Sequence, residues 1–344
     1  MLSKRTNLLG NIAKNLALLF VTTAILLVAG EYTVRYAFRD ITTTHENYSY
    51  FAFKWKKENV QLNSMGFRDR EFNPPKDTGI YRILVIGDSF AFGQGIPEMD
   101  RFSNIVEAEL RKFGNGFEVM NCGISGTNTV HWIPNLKALL SRTKPDFVLL
   151  QWFVNDVETP QPGSGTKGRS SILRDIKIRL HKSSALFFLL SQQWGLIRDK
   201  SGIFESYPDE MSRRFGNPES PESREAEKNF MLFMRLCREE KVPLGVVLFP
   251  MLTPVKGKNY PFAYLHERVS KWCAKEEVPY INLLETYAPL MGDRSECIKL
   301  WVNRFDPHPG VLANRLAADR IMGFFRNTWL SGKTQTWTGK SPFR

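Results

Sequence analysis

The sequence predicts an α/β fold, a parallel sheet covered by helices on both faces, behind a helix long enough to enter a membrane. Three observations carry that expectation. Apolar runs of strand length recur between residues 81 and 283, stretches with helical apolar spacing separate them, and a long apolar segment follows basic residues at the N-terminus. Strands buried on both faces read as continuous apolar runs, and their alternation with helices implies βαβ units.

The first element is Leu16–Gly30 (LALLFVTTAILLVAG), bounded by Asn15 and Glu31. It falls slightly short of a full span, but Leu8–Ile12 extends it inward while Lys14 snorkels to the headgroups. Lys4, Arg5 and Lys14 hold that flank in the cytoplasm, which makes the chain single-pass in the plasma (inner) membrane. Everything after Glu31 is then extracytoplasmic, in the periplasm. Val28-Ala29-Gly30 also suits a signal-peptide cleavage site, and a buried core helix is a third reading.

Residues 31–80 read as a membrane-proximal arm, rich in aromatics (Tyr48, Tyr50, Phe51, Phe53, Trp55) and ending at Pro74-Pro75. The main domain spans 81–330. Its strands are Ile83–Ile86, Phe117–Met120, Phe147–Gln151, Leu244–Phe249 and Tyr280–Leu283. Helical stripes lie between them: Phe102, Ile105, Val106, Leu110 and Phe113 with Asp100 as cap, then Phe230, Phe233, Met234 and Cys237, and finally Leu316, Ala317, Ile321, Phe324 and Phe325. Residues 159–229 break the rhythm and read as an insertion, and 331–344 form a basic polar tail.

The 344 residues carry a net charge of +12, which alone suggests nucleic acid, membrane or an acidic polymer as partner. Residues 1–40, 167–182 and 331–344 carry +3, +5 and +3, so the rest is nearly neutral. A neutral domain with basic attachments, exported from the cytoplasm, is not expected to bind nucleic acid. Cys122, Cys237, Cys273 and Cys297 lack zinc-ligand spacing and read as buried small hydrophobes. With no P-loop, dinucleotide fingerprint or HExxH, no cofactor or metal is expected.

In a parallel sheet, ligands bind beyond the carboxyl ends of the strands. The first run delivers Gly87-Asp88-Ser89-Phe90, which places a hydroxyl on a tight turn over the sheet edge, a geometry suited to a nucleophile. The same tetrapeptide also makes ordinary turns. The second run enters Asn121–Asn128, whose glycines leave backbone N–H groups accessible, and the third ends at Asn155-Asp156. An acyl-transfer transition state puts negative charge on the former carbonyl oxygen, and two backbone donors plus an Asn carboxamide would cradle it. His308, in a loop Arg304–Pro309 before the last helix that folds back over the strand ends, is the candidate base, with Asp306 as the carboxylate that holds its tautomer. His45 lies in the arm, His181 in a basic helix, and His131 and His266 in helical patterns.

Gly87-Asp88-Ser89-Phe90, Gly126, Asn155-Asp156 and Asp306/His308 follow the order of the four blocks of the SGNH (GDSL-type) hydrolases, and residues 80–325 resemble that family. The resemblance implies a flavodoxin-like three-layer α/β/α sandwich on a five-stranded parallel sheet. It makes Ser89 the nucleophile and an oxyanion donor, Gly126 and Asn155 the other donors, and His308 the base. The stretch Asn63–Asp69 looks like a membrane-anchored branch found among envelope polysaccharide genes. Two departures stand out. Phe153 occupies the position of a usual Gly, which narrows the acyl pocket. The usual Asp-x-x-His is shortened by one, leaving either Asp306 or a backbone carbonyl to orient His308.

The insertion holds Lys167, Arg169, Arg174, Lys177, Arg179 and Lys182, then an apolar stretch from Ala185 to Trp194. That pattern suits a solvated face above a packed helix, an anionic bilayer or acidic polymer, or a lid. The leading expectation is a membrane-tethered serine esterase acting on small acyl groups, acetyl foremost, of an envelope or extracellular glycan or lipid. Alternatives are an O-acyltransferase passing the acyl group to a polysaccharide hydroxyl, and a degenerate hydrolase scaffolding a membrane-bound acyl-transfer protein.

Overall fold

Five strands line up in one sheet. They are β1 (Tyr81–Ile86), β2 (Phe117–Asn121), β3 (Phe147–Trp152), β4 (Leu244–Leu248) and β5 (Tyr280–Asn282), in the order β2-β1-β3-β4-β5, with every pairing parallel. The computed structural model describes residues 2–45, 49–73, 76–114, 116–159, 172–200, 205–255 and 259–327. The tail 331–344, Tyr48 and the Pro74-Pro75 end of the arm, and Lys167 and Arg169 of the insertion lie outside the described residues.

The strands form where the apolar runs predict, because four of them are covered on both faces. Ile83, Leu84, Ile86, Phe147, Val148, Val247 and Leu248 are all fully buried. Only the edge strand β5 departs, with Tyr280 exposed. The chain steps from β1 to β2 in one direction and from β3 to β4 in the other. Right-handed crossovers therefore place the intervening helices on opposite faces. Phe102–Arg111 and Val311–Phe325 pack together on one face, Leu136–Thr143 and Pro221–Glu239 on the other. The result is the three-layer α/β/α sandwich, doubly wound, expected from the sequence. Its strand order reverses between β1 and β3, so the crevice opens at their carboxyl ends.

Four local expectations need correction. Asp100 does not cap Phe102–Arg111; the Asn314 side chain accepts from the Phe102 N–H at 3.0 Å, so the cap comes from the helix Val311–Phe325. That helix stops at Arg111, short of Phe113, ahead of Gly114 with φ 158°. Pro221–Glu239 is one element, with Ser220 accepting from Ser223 N–H at 3.1 Å, so the helix begins inside the stretch read as insertion. Residues 301–309 fold not as a loop but as the hairpin β6 (Trp301–Asn303) and β7 (Asp306–Pro309).

The N-terminal helix runs Leu2–Ala37, past Gly30, because nothing in Glu31–Ala37 breaks it and Arg35 pairs with Glu31 one turn away at 2.6 Å. The most apolar 18 residues within its Asn11–Ala37 stretch have mean hydropathy 2.1, and the stretch is long and apolar enough to cross a membrane. All four cysteines are buried free thiols.

Candidate active site

The turn that carries Ser89 follows directly from β1. Ser89 opens a single helical turn, Ser89–Phe92, and the Asp88 carboxylate accepts from the Phe90 N–H at 2.8 Å. Gln151, at the end of β3, accepts from the N–H groups of Asp88 and Ala91 at 3.0 and 3.2 Å. A Cβ on Gly87 would lie 2.3 Å from the Gln151 Oε1, so glycine alone lets the two strand ends close.

His308 reaches this turn from β7. Its Nε2 lies 2.9 Å from Ser89 Oγ, and its Nδ1 hydrogen-bonds Asp306 Oδ1, which also accepts the His308 N–H at 3.1 Å. In an extended strand, residues two apart face the same side, so the shortened spacing still brings carboxylate to imidazole. An ionised carboxylate only accepts, so Nδ1 carries the ring proton and Nε2 is free to accept from the serine. Burial pulls the His308 pKa down, but the charge and hydrogen bond of Asp306, with the charge of Asp88, outweigh it and leave it raised.

Asn155 sits in the short turn Val154–Val157 after β3, with its carboxamide beside the Asp88 carboxylate. Asp156 fixes that turn. It accepts from Phe153 N–H at 2.7 Å and, across the crevice, from the Thr129 N–H and hydroxyl at 2.5 and 2.7 Å. Burial pushes Asp88 up to about 6, and burial with the nearby Asp88 charge pushes Asp156 up to about 7. Gly126 is exposed, with φ 84°. Ile124 N–H and the Thr127 hydroxyl both donate to the Gly87 carbonyl, at 3.1 and 3.4 Å, so its loop is strapped to the Ser89 turn. Among the described residues, no hydrogen bond joins Gly126 itself to Ser89, Asn155 or His308.

Phe153 packs on Phe90 with centroids 4.3 Å apart, and Phe90 stands edge-on to His308 at 5.6 Å. The remaining histidines lie elsewhere. His266 is buried on Asn282, its pKa pushed down to about 4 by burial, His131 pairs with Asn128, His181 is buried in the insertion, and His45 donates to the Phe305 carbonyl from the arm. Among the described residues no group of three or more His, Cys, Asp or Glu could hold a metal ion.

Sequence reasoning missed four positioning residues. Gln151 and Asp156 were visible as polar residues at the end of an apolar strand. Asp88 was visible as a cap residue ahead of a turn. Arg68 was marked only as part of Asn63–Asp69. Its guanidinium donates to the carbonyls of Phe92, Gly93 and Ile96 at 3.2, 2.7 and 2.9 Å, and so clamps the chain just after Ser89.

A doubly wound sheet with a serine, an imidazole and a carboxylate bonded in series at its switch point has the architecture of a serine hydrolase. The chain belongs to the GDSL-like lipase/acylhydrolase family, whose family model matches residues 85–316, as the sequence blocks imply. An arylesterase from Vibrio mimicus is 32% identical over 75 residues, or 22% of this chain and 38% of that protein, so the match spans well under half of the relative. Among solved structures, TesA is 15% identical over 72% of this chain and 98% of its own, with a TM-score of 0.43. The psychrotrophic esterase EstA from Pseudoalteromonas, inhibited by monoethylphosphonate, is 13% identical over 73% and 99%, with a TM-score of 0.42.

Proposed function

We propose that this chain is a membrane-anchored serine esterase that removes small acyl groups, acetyl foremost, from an envelope or extracellular glycan or lipid. The observation that carries the reading is the bonded series Ser89 Oγ, His308 Nε2, His308 Nδ1, Asp306 Oδ1. Ser89 Oγ attacks the ester carbonyl carbon while His308 Nε2 takes its proton. The carbonyl oxygen becomes the oxyanion, held by the backbone N–H groups of Ser89 and Gly126 and the Asn155 carboxamide. As the intermediate collapses, the alcohol leaves with the proton from Nε2, and an acyl group stays on Ser89. Water then attacks, His308 takes its proton, and Ser89 Oγ regains it as the carboxylic acid departs.

Membership of the family and the arylesterase name of the partial relative support ester chemistry. Phe153 against Phe90 supports a short acyl pocket. The helix over Asn11–Ala37 supports an anchor with the catalytic domain outside the cytoplasm.

The test uses the full chain in detergent, with nitrophenyl acetate and octanoate as substrates and a fluorophosphonate as label. The reading expects labelling and acetate release that both vanish in Ser89→Ala, with octanoate a poor substrate. Labelling absent from the unaltered chain would overturn it, and preference for octanoate would overturn the acetyl assignment. Adding an acetyl donor and an oligosaccharide, then counting acetate against acetylated sugar, separates hydrolysis from transfer.

A further inference from the structure

A second hydrophobic core stands apart from the one around the sheet. Val34, Ile41, Phe51, Ala185 and Phe188 build it, with Phe38 and Phe305 packed against it. It joins the end of the N-terminal helix to the insertion helices Ile172–Ser183 and Ala185–Lys200. Glu31 makes the joint, its carboxylate accepting from the Ser184 hydroxyl at 2.7 Å and from the N–H groups of Ala185 and Leu186 at 2.9 and 3.0 Å. Arg35, paired with Glu31, also donates to the Ser183 carbonyl at 3.0 Å.

What this joint exposes is unusual for a surface facing only water. Ile176, Leu180, Leu190 and Trp194 are 47, 40, 57 and 71% exposed, and Tyr32 and Tyr36 on the adjoining helix are 68 and 71% exposed. Lys177, Arg179 and Lys182 on the first of these helices are exposed as well, with Lys182 over the Phe53 ring. A groove of about 510 Å³ between the two elements is lined by Leu27, Val28, Tyr32, Leu180, Phe187 and Leu190.

The geometry points to a membrane-surface element: the helices Ile172–Ser183 and Ala185–Lys200 lie on an anionic bilayer where the N-terminal helix leaves it. This rests on the anchor reading above. A hydrocarbon core about 30 Å thick takes roughly 20 helical residues. A span entering near Asn11 therefore emerges near Gly30, at the turn where Glu31 grips Ala185. Tyr32 and Tyr36 then fall at headgroup level, where amphipathic aromatics concentrate. Exposed Leu and Trp side chains beside Lys and Arg match the acyl boundary and anionic headgroups in the same plane.

The arrangement bears on substrate. Phe305, next to Asp306, packs on Phe38 and Phe188 with centroids 5.7 and 6.3 Å apart. The strand that carries His308 is thus rooted on the bilayer-side core, which favours an ester presented at the membrane over one free in solution.

The four native cysteines are buried, so one introduced on the surface takes a thiol-reactive fluorophore selectively. Full-length Gln193→Cys, Leu19→Cys and Lys228→Cys are each labelled and reconstituted in phosphatidylcholine–phosphatidylglycerol vesicles, with and without brominated acyl chains. The Gln193 and Leu19 labels are expected to blue-shift and to be quenched by bromolipid, and the Lys228 label to stay unquenched. Omitting phosphatidylglycerol, or adding Lys177→Glu with Arg179→Glu, is expected to relieve quenching at Gln193 and leave Leu19 quenched. A quenched Leu19 label with a Gln193 label behaving like Lys228 overturns the surface element and leaves the anchor standing. An unquenched Leu19 label overturns the anchor, and this inference with it.

Discussion

Asp306 and His308 sit two residues apart on the extended strand β7, and Asp306 Oδ1 accepts from both the backbone N–H and the ring Nδ1 of that histidine. One oxygen thus fixes the imidazole at two points. The carboxylate is fully buried, so water does not compete for it. The sequence left open whether a backbone carbonyl would take this place; in the structure the side chain occupies it.

Replacing Asp306 with Asn keeps the shape but lets an amide N–H face Nδ1, which favours the tautomer protonated on Nε2. The serine then has no acceptor. Ester hydrolysis by Asp306→Asn should fall on the order of 10³–10⁴-fold in kcat, by analogy with the serine-protease triad. Little change in KM and an unchanged circular dichroism spectrum would accompany it. A loss of tenfold or less would mean the histidine is oriented by something else.

The pH dependence follows from the same contacts. In the proposed mechanism His308 accepts the serine proton as a neutral base, so kcat/KM is expected to rise as it loses its proton. Burial lowers its pKa, but Asp306 and Asp88 raise it past that loss, with Lys56 opposing, so the acid limb should lie above the ordinary imidazole value of 6.5. Asp88, pushed up to about 6 by burial, takes a proton at the foot of that limb and withdraws part of the support, so the two groups titrate as a pair. In Asp306→Asn the limb should move to lower pH. A pH profile of kcat/KM with nitrophenyl acetate reads both outcomes, and a limb that stays in place in the variant would contradict the assignment.

Much of this was legible in the sequence, for identifiable reasons. Strands β1 to β4 are buried on both faces, and continuous apolar runs such as Ile83–Ile86 announce them. Ser89, Asn155 and His308 could be placed because each follows or precedes such an element. The hairpin β6–β7 was not legible: Asp306-Pro307-His308-Pro309 has no strand pattern, and its pairing depends on Gly310, where a Cβ would sit 2.4 Å from the Trp301 carbonyl oxygen. The helix cap supplied by Asn314 to Phe102 and the Gln151 brace of the Ser89 turn were hidden for a similar reason. Each joins residues far apart in the chain, and local spacing carries no trace of such contacts.

Phe153 should set the acyl length. It lies against Phe90, which follows Ser89 and itself abuts His308, so its ring takes up volume behind that residue. Phe153→Ala opens that space. The kcat/KM ratio of octanoate to acetate esters should rise at least about tenfold, since added methylenes gain purchase only when a pocket exists. An unchanged ratio would place the acyl chain elsewhere.

Arg68 should prove as important to stability as any core residue. It is almost fully buried and its fork meets three backbone carbonyls, those of Phe92, Gly93 and Ile96, while its own carbonyl accepts from Arg101. Burial, reinforced by the nearby Arg101 charge, lowers its pKa to about 10, which leaves it charged at neutral pH. Arg68→Ala strands those carbonyls away from water, at a cost of about 3 kcal/mol or more in unfolding free energy. Arg68→Lys keeps the charge, but a single ammonium cannot reproduce the planar fork, so most of the loss should remain. Urea denaturation of the full chain in detergent reads the stability. Because the clamp holds the segment just after Ser89, kcat should fall in both variants even where they are fully folded. Retention of wild-type stability by Arg68→Lys would show that charge, not geometry, is what this position supplies.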